Sequence, residues 1–532
     1  MTSRKRKWLL GAGAAVVITG GALAVAGFVL AGRIEPYARA QAVEYLSRHF
    51  DSDVRMDALH LRVPEFSPLR LLLTRRWGTS ARIEGEGLYL KKHGSGTTPM
   101  ISIRKFTGEV ELDSLFHPPI VVSRLTADGM EIQIPPRSAR TAPAANVERA
   151  GAQEDAGAAK PEIVIQSIDV QHAALTIMPR DSRKIPLRFE IETLHMQSGG
   201  AGAAMLFDAA LHNPKPPGEI HAAGQFGPWL TPDPGDTPLN GNYTFEGADL
   251  SVFNGIAGTL HSTGRFQGRL SALTVRGQAS VPNFRLRRAG NPMPLTARFD
   301  ALVDGTNGNT TLQPVAATLG STYFTARGGI IKHEANQPRA ISLDIDMPNG
   351  NLRDVLRLCM NQEPFMDGRL KLRTKMDIPP LAGKVREKLI LDGNFQLLEG
   401  RFHHSTIQNQ LDGLSRRAQG NPENQEKEQA IANMAGTFHL EDAWLRFREL
   451  SFGIPGARLD MAGDYSLDTD TVDFAGTAKL QATVSQMVTG WKRILLKPVD
   501  RFFEKEGAGT FLRIRVSGTS KSPHFGLNFS RP

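Results

Sequence analysis

The feature that most constrains this chain is a period of two. Met130, Ile132 and Ile134 alternate with Glu131 and Gln133, and Ile341, Leu343, Ile345 and Met347 alternate with Ser342, Asp344 and Asp346. Leu370, Leu372, Met376 and Ile378 interleave with Lys371, Arg373, Lys375 and Asp377, while Leu512, Ile514 and Val516 alternate with Arg513, Arg515 and Ser517. Successive side chains of an extended chain point to opposite faces, so each run makes a strand with one dry face and one wet face, as antiparallel sheets have. About two dozen such runs are separated by turn signals, among them 213–218, 231–238, 304–309 and 468–471. The 52 glycines and 33 prolines in 532 residues suit many short strands better than a helical bundle. Ile-Val-rich runs separated by helices of about 10 to 15 residues, which a parallel sheet requires, are missing, and this argues against a doubly wound nucleotide-binding enzyme. The expected fold is mainly β, built from local antiparallel hairpins and meanders.

A second constraint lies at the N-terminus. From Trp8 to Gly32 there is no charged residue, a stretch longer than the ~20 residues that cross a ~30 Å hydrocarbon layer as a helix. Arg4, Lys5, Arg6 and Lys7 precede it, whereas Arg33, Arg39 and Arg48 beyond it are mixed with Glu35 and Glu44. The excess of positive charge keeps the leading end cytoplasmic and sends the rest of the chain outward. The competing reading is a cleaved signal peptide ending near Val29-Leu30-Ala31, although the apolar stretch exceeds the ~7 to 15 residues of a signal h-region.

Five regions follow. Residues 1–32 form a basic cap and transmembrane anchor, and 33–135 a helix and a β-region. The helix is expected because Ile34, Tyr37, Ala38, Ala42, Tyr45, Leu46 and Phe50 recur at helical spacing. Residues 136–162, rich in Ala, Pro, Gly and charge without periodicity, read as a disordered linker or long loop. Residues 163–380 form a central β-region and 381–532 a C-terminal one with two helical excursions. The first is a helical hairpin over 405–434 that carries Ile407, Leu411, Leu414, Ile431 and Met434. The second, 484–503, places Trp491, Phe502 and Phe503 near one face and is broken at Pro498.

Signals for covalent chemistry are weak. One cysteine, Cys359, excludes a disulfide framework within the chain and a thiolate zinc site, and it reads as a buried apolar residue. His403 and His404 are adjacent and would point to opposite faces of a strand, which suits no joint metal site. Asp468, Asp470 and Asp473 lack the glycine and terminal glutamate of a calcium loop and read as a hairpin turn. No nucleophile elbow, phosphate-binding loop or zinc-protease motif is present. The net charge of +9 is modest and dispersed among strands, which argues against nucleic acid as a partner. Neither an enzymatic role nor a cofactor is expected.

The C-terminal text is more specific. LDGNFQLLEGRF (391–402), LSRRAQGNPE (414–423), the run from Met434 to Ala478 and LLKPVDRFFEKEGAGTFLRIRVSGTSKSPHFGLN (495–528) resemble the C-terminal region of the AsmA-like bacterial envelope proteins. The N-terminal plan of basic cap, anchor, short helix, RIEGEGLYL and RLTADGMEIQI is similar to theirs as well. The resemblance covers about the last quarter of the chain most closely. It implies a single-pass inner-membrane protein, N-terminus cytoplasmic and bulk periplasmic. Its fold would be an elongated, twisted antiparallel β-groove whose apolar face carries phospholipid for outer-membrane homeostasis, and it supplies no catalytic residue.

On that reading Ile341, Leu343, Ile345, Met347, Leu370, Leu372, Leu512, Ile514 and Val516 are candidate groove residues. The same residues equally suit the closed core of a β-sandwich. Trp491, Lys497, Arg501, Phe502 and Phe503 are candidate membrane-interface residues, or else part of a helix that plugs the sheet end. The implied partners are phospholipid, the inner membrane through residues 8–31 and an outer-membrane or envelope protein. The alternative function is a periplasmic scaffold or assembly factor for outer-membrane proteins.

Overall fold

The computed structural model describes residues 35–36, 39–40, 42–48, 50, 52–62, 80–92, 99–111, 114, 120–134, 163–178, 186–198, 203–228, 236–287, 290–305, 307–332, 338–381, 383–403, 405–423, 430–489, 496–500, 509–519 and 522–527. The expected anchor at 8–31 and the linker at 136–162 lie outside these residues. No described helix is long and apolar enough to cross a membrane. The described chain is mainly β, with 25 strands and few helices. Its contacts divide into two units, one of 1–215, 219–243 and 267–270 and one of 216–218, 244–266 and 271–532.

In the first unit β1 (Ser52–Arg62), β2 (Ser80–Lys92), β3 (Ile101–Glu111) and β4 (Ile120–Ile134) pair antiparallel in order. β4 then runs parallel to β5 (Ile163–Ile165) and β6 (Ser167–Ile177), after which β7 (Leu187–Ser198) and β8 (Met205–Pro214) resume antiparallel pairing. The parallel step corrects the expected all-antiparallel meander. Parallel neighbours need a crossover of about a dozen residues or more, and the segment 135–162 is the connection long enough to supply it. The described residues 42–48 are helical, while Ile34, Tyr37 and Ala38 of the expected helix lie outside the described residues. Ala42, Val43 and Leu46, with Phe50, pack on Met56, Leu59, Leu88 and Leu90 at the first two strands.

Next along the chain come β9 (Pro217–Phe226), β10 (Pro238–Asp249), β11 (Ile256–Ala257) and β12 (Thr259–Arg269). The second unit continues with β13 (Ala272–Leu286), β14 (Met293–Val303), β15 (Thr310–Leu319), β16 (Thr322–Ile331), β17 (Ala340–Asn351), β18 (Met366–Ile378) and β19 (Ile390–Phe402). It ends with β20 (Ala432–Glu441), β21 (Trp444–Ile454), β22 (Ala457–Ser466), β23 (Thr471–Leu480), β24 (Thr510–Thr519) and β25 (Ser522–Leu527). From β13 onward every strand pairs antiparallel with the next. Each pair from β13/β14 through β21/β22 contains a register shift. Such bulges bend a strand and increase its twist, so nine in succession curve the sheet.

The two longest described helices of the second unit stand at one set of strand ends. Leu352–Cys359 follows β17, and Ser405–Ala418 follows β19. Leu352, Leu356, Leu411 and Ala418 join Met366, Leu397, Ala432, Ile454, Ala457 and Leu480 in the largest apolar cluster. Asp354, buried on the first of these helices, accepts hydrogen bonds from the Ser321 N–H (2.9 Å), Ser321 hydroxyl (2.7 Å) and Thr322 hydroxyl (2.8 Å). The helical run expected around Ile431 and Met434 is instead the approach to β20 and the strand itself. Met434 lies between Leu397 and Phe452 on neighbouring strands, and burial of Ala432 against the cluster outweighs local helical spacing. Of the expected helix at 484–503, the described residues contain two 3-10 turns, Val484–Met487 and Lys497–Val499, the second with Pro498 in its first turn, and 490–495 and 501–503 lie outside them.

Candidate functional site

Register decides which side chains share a face. On β17 and β18, Ile341, Leu343 and Met347 stand opposite Ile378, Met376 and Leu372. The face continues through Leu372 opposite Phe395, Phe395 opposite Gly436, and Met434 opposite Phe452. It goes on through Phe447 opposite Gly463 and Gly463 opposite Phe474, and ends with Phe474, Gly476 and Ala478 opposite Val516, Ile514 and Leu512. One apolar face therefore runs without interruption from β17 to β24, and all nine candidate groove residues lie on these strands.

The other face is wet. Arg327 pairs with Asp344 (3.3 Å), Arg373 with Asp346 (3.1 Å), Arg515 with Asp473 (3.0 Å) and His439 with Asp392 (2.7 Å). Exposed pairs contribute little to stability, but they mark the solvent side. Hydrogen bonding to Asp473 pushes the Arg515 guanidinium up.

Burial divides the candidates. Ile341, Leu343, Ile345, Leu372, Ile514 and Val516 are half-buried, as are Phe395, Phe438, Phe447 and Phe474 beside them. Met347 and Leu370 are each only 6% exposed, as the core alternative expects of them. Their strands slip register between Met347 and Gly350, at the end covered by the helices. Leu512 packs against the same apolar cluster.

Four phenylalanines form a row across the middle of this face. The Phe395 ring lies 6.3 Å from Phe438 and 6.2 Å from Phe447, which in turn lies 5.8 Å from Phe474. Phe395 and Phe447 belong to strands separated by β20, and Phe447 and Phe474 to strands separated by β22. Glycines make the contacts possible. A β-carbon on Gly436 would stand 3.2 Å from Phe395, one on Gly393 2.8 Å from Phe438, and one on Gly463 2.8 Å from Phe474. The rings thus lie over bare backbone. Single-residue alternation does not reveal this row. The available signal was Gly-x-Phe within a strand, as in Gly393-Asn394-Phe395 and Gly436-Thr437-Phe438, which puts both residues on one face.

Of the membrane-interface candidates, Lys497 is exposed, while Trp491, Arg501, Phe502 and Phe503 lie outside the described residues. The turn bearing Lys497 is tied down by Asp500, which accepts from the Ser485 N–H (2.8 Å) and hydroxyl (2.7 Å). Burial pushes the Asp500 carboxyl up, but the hydrogen bonds from Ser485 and Thr483 outweigh it and hold the group below the usual carboxylate range.

The remaining chemistry-bearing residues are engaged locally or stand apart. His403 Nε2 lies 2.8 Å from Asp367, and His404 is outside the described residues. Asp468 pairs with Arg386, Asp470 accepts from the Tyr465 hydroxyl and Asp473 pairs with Arg515, so the three do not converge. Among the described residues no cluster of His, Cys, Asp and Glu could hold a metal ion. Cys359 is exposed at its helix end, contrary to the expected burial, because the inward positions of that helix are Leu352 and Leu356. Comparison with family models, curated proteins and solved structures gives no match to this chain.

Proposed function

We propose that the apolar face of β17–β24 is a groove that binds or transfers phospholipid. The observation that carries the reading is continuity: half-buried apolar side chains extend across eight successive strands with paired charges on the reverse side. Each CH₂ moved from water onto such a surface contributes ~0.8 kcal/mol, so contact with ~10 of them holds a chain by ~8 kcal/mol before entropic losses. Rings packed over glycines offer an apolar floor with no fixed polar anchor, which suits chains that slide. The resemblance of 391–528 to AsmA-like proteins supports the same reading. On this proposal the chain is anchored in the inner membrane through residues 8–31, with its body in the periplasm and a role in maintaining the outer membrane.

The test is binding of a fluorescent phospholipid by the full-length chain. Leu343→Asp and Ile514→Asp are expected to lower binding at least ten-fold while leaving the far-ultraviolet circular dichroism unchanged. Wild-type binding by these folded variants would overturn the reading.

A further inference from the structure

Five arginines follow the strand ends that the helices cover. Arg353 and Arg357 occupy exposed positions one turn apart on the helix Leu352–Cys359. The Asn291 N–H donates to the Arg357 carbonyl at 2.8 Å, which sets that end of the helix beside the loop before β14. Arg401 is exposed near the end of β19. Arg416 and Arg417 sit in the last turn of the helix Ser405–Ala418, where the neighbouring Ser415 hydroxyl donates to the Pro455 carbonyl at 2.8 Å in the turn between β21 and β22.

On the wet sheet face Arg327, Arg373 and Arg515 each hold a carboxylate. Among the described residues none of the five rim arginines does. Other exposed arginines, Arg265, Arg298 and Arg446 among them, also hold no carboxylate among the described residues, but these five share one set of strand ends. Carboxylates on the same segments are already occupied: Asp354 by Ser321 and Thr322, Asp367 by His403, Glu399 by Arg369 at 2.5 Å, and Asp412 by Gln408 and the Ala430 N–H. Among the described residues on these segments Glu363 and Glu423 remain, against five cations. Two large apolar side chains stand on the same rim, Phe365 and Leu414, each 38% exposed, and Phe365 is braced against Phe402 with ring centroids 6.4 Å apart.

We infer that this rim docks on the surface of an anionic phospholipid bilayer. Guanidinium groups donate in pairs to phosphate oxygens, and five of them spread over three segments fit an array of headgroups better than one small anion. Exposed aromatic and aliphatic side chains among unpaired cations are the arrangement that seats a protein at a lipid interface. The inference goes beyond the groove reading and does not require the groove to hold lipid.

The experiment uses the full-length chain in nanodiscs of phosphatidylcholine and measures capture of vesicles of phosphatidylcholine with or without one third phosphatidylglycerol. Capture of the anionic vesicles alone is expected, weakening as salt shortens electrostatic reach. Arg353→Gln and Arg417→Gln should each weaken it about five-fold, and the quadruple variant with Arg357→Gln and Arg416→Gln by several hundred-fold. Arg373→Gln, on the wet face, should leave it unchanged. Equal capture of both vesicle types, or wild-type capture by the folded single variants, would overturn the inference. Lipid co-purifying with the same proteins separates the two readings. Rim variants that keep their lipid but lose capture support the rim, and a lipid-free chain that still captures anionic vesicles overturns the groove and leaves the rim standing.

Discussion

Phe395 on β19 lies over Gly436 on β20, its Cε1 atom 3.2 Å from where a β-carbon would be, and the two residues are direct cross-strand partners. The same β-carbon would stand 2.5 Å from the Glu449 carbonyl oxygen, so backbone as well as ring would have to move. Gly436→Ala should therefore destabilise the second unit by about 1–3 kcal/mol, as overpacking does. Gly413→Ala is the control: nothing lies within 4 Å of its β-carbon, and in the middle of a helix it should stabilise by about 0.5–1 kcal/mol. Thermal unfolding of both variants checks the contrast, and equal effects would contradict this packing.

Charge should separate face from core. Leu343→Asp places a carboxylate on a half-buried position and should cost little stability, whereas Met347→Asp buries one at a site 6% exposed and should cost on the order of 4 kcal/mol or more. Urea unfolding distinguishes them. Similar midpoints would mean that the apolar face is as closed as the helix-covered end.

His439 should add a slope to stability on the alkaline side. Its hydrogen bond to Asp392, with help from Glu441, holds its pKa above the ordinary value. The protonated form is thus favoured by folding. The contribution is fully present below the unfolded pKa of ~6.5 and is lost as pH rises through the folded value. A small fall in Tm above neutrality, absent in His439→Gln, is the expected result.

Asp500 has the opposite sign. Its folded pKa is held below the ordinary range, so its contribution is present above the unfolded value of ~3.9 and disappears as pH falls through the folded one. Asp500→Asn should flatten the acid limb of the stability profile, because the amide keeps one acceptor for Ser485 but carries no titrating charge. An unchanged acid limb would mean that other carboxylates set it.

Strands were legible wherever one face stayed wet, because alternation such as Ile341-Ser342-Leu343-Asp344 records burial directly. The parallel step at β4 and β6 was not, since crossover handedness and partner choice leave no period in the chain. Alternation left Met347 and Leu370 open between groove and core, because their burial arises at a bulge where register slips and a helix covers the strand end, both tertiary events. Met434 misled for a related reason: short-range helical spacing gave way to pairing with Leu397 and Phe452. The phenylalanine row was written locally, in Gly393-x-Phe395 and Gly436-x-Phe438, but its meaning depends on a neighbouring strand. The rim arginines come from three separated segments, and only folding aligns them.

The most direct measurement is native mass spectrometry with lipid extraction on the full-length chain purified from bacterial membranes in mild detergent. Phospholipid retained at a defined stoichiometry, and lost from Leu343→Asp and Ile514→Asp, is the expected result. A folded chain that carries no phospholipid, with the two variants indistinguishable from wild type, would contradict the central claim that the β17–β24 face is a lipid groove.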